Sequence, residues 1–164
     1  MVNADDIVRA YRGPEGTADE LLDQLRRNPE AAEAALDDVL RTQRGDIRAW
    51  CAWLAARSLP KDKAVALALR VAKSRDPDVA HAALEEVEAL DLPALRPLVR
   101  RFRRMLRGGN DWYDTMVQQL VAMRLLAAVG DRESVDEIRA LRDDPERPQN
   151  VRDLAARVVD RLER

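Results

Sequence analysis

The chain has 164 residues, 46% of them apolar, 35% charged and only 4% aromatic, with a formal net charge of −2. That length suffices for a continuous core, while scarce aromatics and abundant charge argue against a β-rich interior and favour exposed helices with intrahelical ion pairs. No run approaches ~18 apolar residues, which excludes a membrane-spanning helix, and a single cysteine, Cys51, excludes an intramolecular disulfide.

Taken in chain order, Met1–Tyr11 carries Asp5 and Asp6 where a secretory signal would need a basic start and an apolar run, so a cytoplasmic location is expected. Thr17 with Glu20 and Ser134 with Glu137 have capping-box spacing, and Asn28-Pro29 and Asp76-Pro77 place a capping side chain before a first-turn proline. Leu59-Pro60, Leu92-Pro93, Gly108-Gly109, Gly130 and Asp144–Pro148 read as stops or turns. These signals predict a short helix at 4–11, then helices at 18–27, 30–43, 46–58, 61–74, 77–90, 93–107, 111–129, 133–143 and 149–163. Connections that short pair consecutive helices as antiparallel hairpins.

One helix-sized segment recurs. Asp46–Ser58, Asp78–Leu90, Gln118–Gly130 and Asn150–Leu162 align without gaps at offsets of 32, 40 and 32 residues. One column reads Trp50, Ala82, Ala122, Leu154, the next Cys51, Ala83, Met123, Ala155, and another Ala55, Val87, Ala127, Val159. Stacked hairpins bury a stripe against both neighbours, and small side chains let helix axes approach closely, so the expectation is an α-solenoid. It would form a single domain over residues 1–164, with about four to five hairpins.

Asp76-Pro77-Asp78-Val79 followed by Ala82-Ala83-Leu84 resembles the start of the second helix of a HEAT repeat. Ala127–Asp131, Ser134-Val135, Ile138, Leu141, Asp144-Pro145, Val151-Arg152 and Ala155-Ala156 together resemble a HEAT-like unit of the phycocyanobilin-lyase type. That resemblance implies an all-α, right-handed α-solenoid. A regular arginine ladder is absent, the Val-Arg pair being Val79-Ala80 and Gln119-Leu120 in other copies. Ala31–Leu40, Asp46, Ala49-Trp50, Leu54-Ala55, Ala66 and Pro77 are similar instead to a tetratricopeptide repeat, which leaves the type of the N-terminal hairpins open.

The segment Pro93–Arg107 holds six arginines and no acidic residue. At about 100° per residue, Arg96, Arg100, Arg103 and Arg107 share one stripe of a helix, opposite Leu95, Leu98, Val99, Phe102, Met105 and Leu106. Such a ridge meets an acidic protein surface or phosphates. The simpler reading is a solvated face whose arginines pair with acidic neighbours such as Glu85 and Glu88. Trp112 and Tyr113 follow Gly108-Gly109-Asn110-Asp111, where either Asn110 or Asp111 can cap the next helix; the two rings anchor a partner or seal the corner of the hairpin. Trp50 reads as core with Trp53 on its flank, and Cys51 as a core thiol. His81, Glu85 and Glu88 lie at i, i+4, i+7, a poor set for zinc, which asks for more nitrogen or sulfur ligands.

With one histidine, one cysteine and no phosphate-binding glycine loop or Gly-x-Ser-x-Gly turn, no catalytic set assembles by motif. The expectation is a non-catalytic scaffold without cofactor or metal, binding a protein partner with an acidic surface through Arg96, Arg100, Arg103, Arg107, Trp112 and Tyr113. Its concave side would be lined by the four repeated helices, exposing Arg48, His81, Glu85, Arg124, Arg152 and Asp153. The alternatives are a nucleic-acid-binding solenoid using the arginine-rich helix, which the negative remainder of the chain opposes, and a small lyase-type enzyme of the HEAT-like kind.

Overall fold

The computed structural model describes residues 2–14, 17–109 and 111–164, and among these it contains helices and no strand. The α-helices are α1 (Ala4–Arg12), α2 (Thr17–Arg27), α3 (Pro29–Thr42), α4 (Asp46–Ser58), α5 (Lys61–Val71), α6 (Pro77–Leu90), α7 (Val99–Met105), α8 (Trp112–Val129), α9 (Val135–Asp143) and α10 (Gln149–Glu163). Two 3-10 segments, Leu92–Leu98 and Arg132–Ser134, precede α7 and α9. The predicted helix over 93–107 is therefore split. Pro97 has no N–H to donate and its ring opposes an α-helical turn, so the chain runs as a tighter 3-10 coil until Val99.

Side-chain caps fix the starts of α1, α3, α6 and α8. The Asn28 side chain accepts from Ala31 N–H at 3.2 Å and Asp76 accepts from Asp78 and Val79 at 3.0 and 3.4 Å, as their positions before a proline predict. The expected boxes at Thr17 and Ser134 do not form, because both hydroxyls donate backwards: Thr17 to the Pro14 and Ala10 carbonyls, Ser134 to the Asp131 carbonyl. A capping box exists at Asn3 and Asp6 instead, each side chain accepting from the other's N–H at 3.1 Å. Gly130 closes α8 in the left-handed region at φ 71°, where a side chain would strain the backbone.

Contacts gather into two compact units, Met1–Asp91 and Leu92–Arg164. In the first, α4 packs against α1, α2, α3, α5 and α6, and α5 also packs on α6. Surrounded in this way, α4 buries Ile47, Cys51, Ala52, Leu54, Ala55 and Ser58 around most of its circumference. In the second, α8 packs on α7, on the Leu92–Leu98 segment and on α10, while α9 pairs with α10. Phe102, Leu106, Met123, Leu126 and Ile138 fill its core.

The aligned columns behave alike in two cases out of three. Cys51, Ala83, Met123 and Ala155 are fully buried, and so, nearly, are Ala55, Val87, Ala127 and Val159. In the remaining column Ala122 is buried, whereas Trp50, Ala82 and Leu154 are only half-buried. Ion pairs add a second regularity: Lys63–Glu33 and Arg70–Asp37, each at 2.5 Å, join α5 to α3, and Arg57–Glu86 at 3.1 Å joins α4 to α6. In the second unit Arg107–Glu137 at 3.6 Å ties the residues after α7 to α9.

Candidate functional site

Arg103, on α7, is held from both sides of its guanidinium. It donates to Asp131 through Nε at 2.8 Å and Nη2 at 2.5 Å, and to Glu133 through Nη1 at 2.7 Å. The hydrogen bonds to Asp131 and Glu133 raise its pKa, so its charge is permanent and already answered by two carboxylates. Arg107 reaches Glu137 while staying largely exposed. Arg96 and Arg100 differ. Both are exposed and neither has an ion-pair partner among the described residues. Arg96, Arg100 and Arg103 line one open groove of about 530 Å³ with Pro97, Val99 and Glu133. Half of the predicted ridge is thus neutralised locally and half is left to solvent.

Trp112 and Tyr113 form the first turn of α8, 67% and 52% exposed. They do not seal the corner, because smaller groups already do. Gly109 N–H donates to Thr115 Oγ1 at 3.1 Å, and Asp111 accepts from Asp114 N–H at 2.8 Å. Gly108, at φ 92°, lies so close to Thr115 that a Cβ would come within 2.5 Å of its Cγ2. With the joint closed by Thr115 against the glycines, both rings turn outward. Asp111 is thus a cap for α8; Asn110, the other candidate, lies outside the described residues. Neither aromatic lines the groove of Arg96 and Arg100.

A third cluster escaped sequence reasoning. Trp50, expected in the core, is half-buried; its ring centroid is 5.5 Å from that of Tyr11 and 6.5 Å from Trp53, whose plane it nearly parallels at 6°. The Arg57 guanidinium carbon sits 4.3 Å from the Trp53 ring centroid, and its Nη1 is 3.1 Å from Glu86. These side chains border a groove of about 430 Å³ lined by Tyr11, Asp46, Ala49, Trp50, Trp53, Ala82, Glu85 and Glu86. A tryptophan pair at i and i+3 with an arginine one turn later is a visible signal for a surface cluster; nothing local to Tyr11 points to it.

Cys51 is buried, and desolvation pushes its thiol up to about 12, Arg48 opposing weakly, so it is no nucleophile. His81 Nε2 is 3.6 Å from Glu85, and no three ligating side chains converge among the described residues. Of the six positions expected on a concave side, Glu85, Arg124 and Asp153 are exposed, while Arg48, His81 and Arg152 are half-buried. No helix of the described residues is long and apolar enough to cross a membrane.

These features define an all-helical protein with aromatic and arginine-rich surface clusters. Searches against protein-family models, curated proteins and solved structures found no match.

Proposed function

We propose that this chain is a non-catalytic, HEAT-like helical-repeat protein that binds a protein partner, and that it works in the cytoplasm. The observation that carries the reading is the placement of its aromatics. Of six such side chains only Phe102 is in the core, whereas Tyr11, Trp50, Trp53, Trp112 and Tyr113 are half-buried or exposed. Tryptophan and tyrosine dominate binding energy at protein interfaces, and a tryptophan two-thirds exposed leaves apolar area uncovered that association removes from water. The repeat reading draws support from the shared burial of two of the three aligned columns, from ion pairs that join α3 to α5 in the first unit, and from the pair that ties the residues after α7 to α9 in the second.

For the second unit the partner chemistry is acidic, because Arg96 and Arg100 hold charge that no carboxylate answers among the described residues. Nucleic acid is the competing reading for the same two arginines. The experiment is affinity capture followed by reconstitution with the purified partner. Trp112→Ala with Tyr113→Ala, and separately Arg96→Glu with Arg100→Glu, should each weaken binding while leaving the helical content intact. Salt-sensitive binding to generic DNA or RNA, lost in the arginine variant, would move the assignment to nucleic acid.

A further inference from the structure

Building on the partner-binding reading, we propose that the groove bordered by α1, α4 and α6 is a docking site for an arginine or lysine side chain carried on a basic segment of the partner. Three rings converge there, Tyr11 from α1 and the pair Trp50 and Trp53 one turn apart on α4, and it is the packing of α1 against α4 that brings Tyr11 to the pair. An aromatic face attracts a cation within about 6 Å of its centroid. The protein already uses one end of the groove in this way, because Arg57 lies over Trp53 and is held there by Glu86. The other end offers the same two components: Tyr11, 40% exposed, and Trp50 supply aromatic surface, and Asp46 is an exposed carboxylate with no basic partner among the described residues.

Charge selects the occupant. Three carboxylates line the groove, Asp46, Glu85 and Glu86; Glu86 is answered by Arg57 and Glu85 is engaged beside His81, so Asp46 is the carboxylate that draws a cation. The unit that contains it, residues 1–91, has 13 basic and 18 acidic groups, so its field favours cations, whereas residues 92–164 carry 15 basic and 12 acidic groups. An apolar occupant would strip water from Asp46 without replacing its hydrogen bonds. A small free cation would gain little burial in so open a groove against its lost translational freedom. A cationic side chain on a polypeptide gains from the neighbouring contacts of its own segment. Guanidinium fits best, being planar and weakly hydrated.

The test is calorimetric titration of the full chain with an arginine–serine repeat peptide, with the same peptide carrying citrulline in place of arginine, with a glutamate–serine peptide and with free arginine. The arginine peptide should bind, the citrulline peptide about tenfold more weakly, and the acidic peptide not at all. Tyr11→Ala with Trp50→Leu should abolish the arginine-peptide signal. Should that variant fail to fold, Tyr11→Ala with Asp46→Asn replaces it, since both side chains are exposed. Equal affinity for the arginine and citrulline peptides, free arginine binding as tightly as the peptide, or unchanged binding by the variants would each overturn the proposal. Partner capture that depends on Trp112 and Tyr113 but is accompanied by no response to the arginine peptide would overturn the groove assignment alone and leave the partner-binding reading standing.

Discussion

At Ala83 a methyl group fills a fully buried position on α6, a helix that packs against both α4 and α5. Leucine there has to displace helices that already touch, and overpacking costs ~1–3 kcal/mol. Ala83→Leu should therefore lower the urea midpoint with an unchanged slope. Trp50→Ala should cost less than the ~3–5 kcal/mol of a fully buried aromatic, because its ring is half-buried against Tyr11 and Trp53 and open on one side. Cys51 gives a sharper test. With its thiol pushed up to about 12 by burial, it should resist Ellman's reagent at neutral pH in the folded protein and react at once in denaturant. Rapid native labelling would show that the centre of the first unit opens. The burial of Cys51 and Ala83 was legible in the sequence, since small residues recurring at one repeat position are what close helix contacts require. That of Trp50 was not: α4 is covered on nearly every side, and periodicity does not say which strip is left open.

Helix starts were legible where a capping side chain precedes a proline. Asn28 and Asp76 cap as their spacing to the following proline predicts, since side chain and target N–H lie within three residues. Thr17 and Ser134 are each three residues before a glutamate, but a hydroxyl is donor as well as acceptor, and nearby carbonyls accept its hydrogen bond. The arginine segment was half legible. Its exposed face could be read, but not Pro97 converting the first half to 3-10 coil, nor Asp131 and Glu133 closing on Arg103. Arg103→Ala should consequently lower the melting temperature more than Arg96→Ala or Arg100→Ala, which scanning calorimetry can rank. The turn between α9 and α10 provides a pH test. The hydrogen bond from Arg142 lowers the pKa of Asp143, and the Glu146 N–H, followed by Arg147, lowers that of Asp144. Carboxyls with depressed folded values contribute stability above their unfolded pKa and lose it as pH falls through the folded one. Stability should stay level above the ordinary carboxylate value of 3.8 and decline below it, and Asp144→Asn should flatten that decline.

Among the described residues, the ion pairs that join α3 to α5, α4 to α6 and α7 to the residues just before α9 span 28 to 33 residues, close to the 32-residue offset between the aligned segments. Each unit also owns a core, so residues 1–91 expressed alone should give a helical far-ultraviolet spectrum and a cooperative melt. A featureless spectrum would show that this core does not suffice. The surface placement of the aromatics has an optical consequence. With no tryptophan in either core, the chain's own fluorescence is blind to core packing and reports only the α4 cluster and the start of α8. Iodide should quench most of the emission of the native protein, and a loosened interior that keeps these two surfaces would leave the spectrum unchanged. The parallel indoles of Trp50 and Trp53 should meanwhile produce a paired near-ultraviolet dichroic band that vanishes in either single phenylalanine variant, giving a label-free reading of the groove.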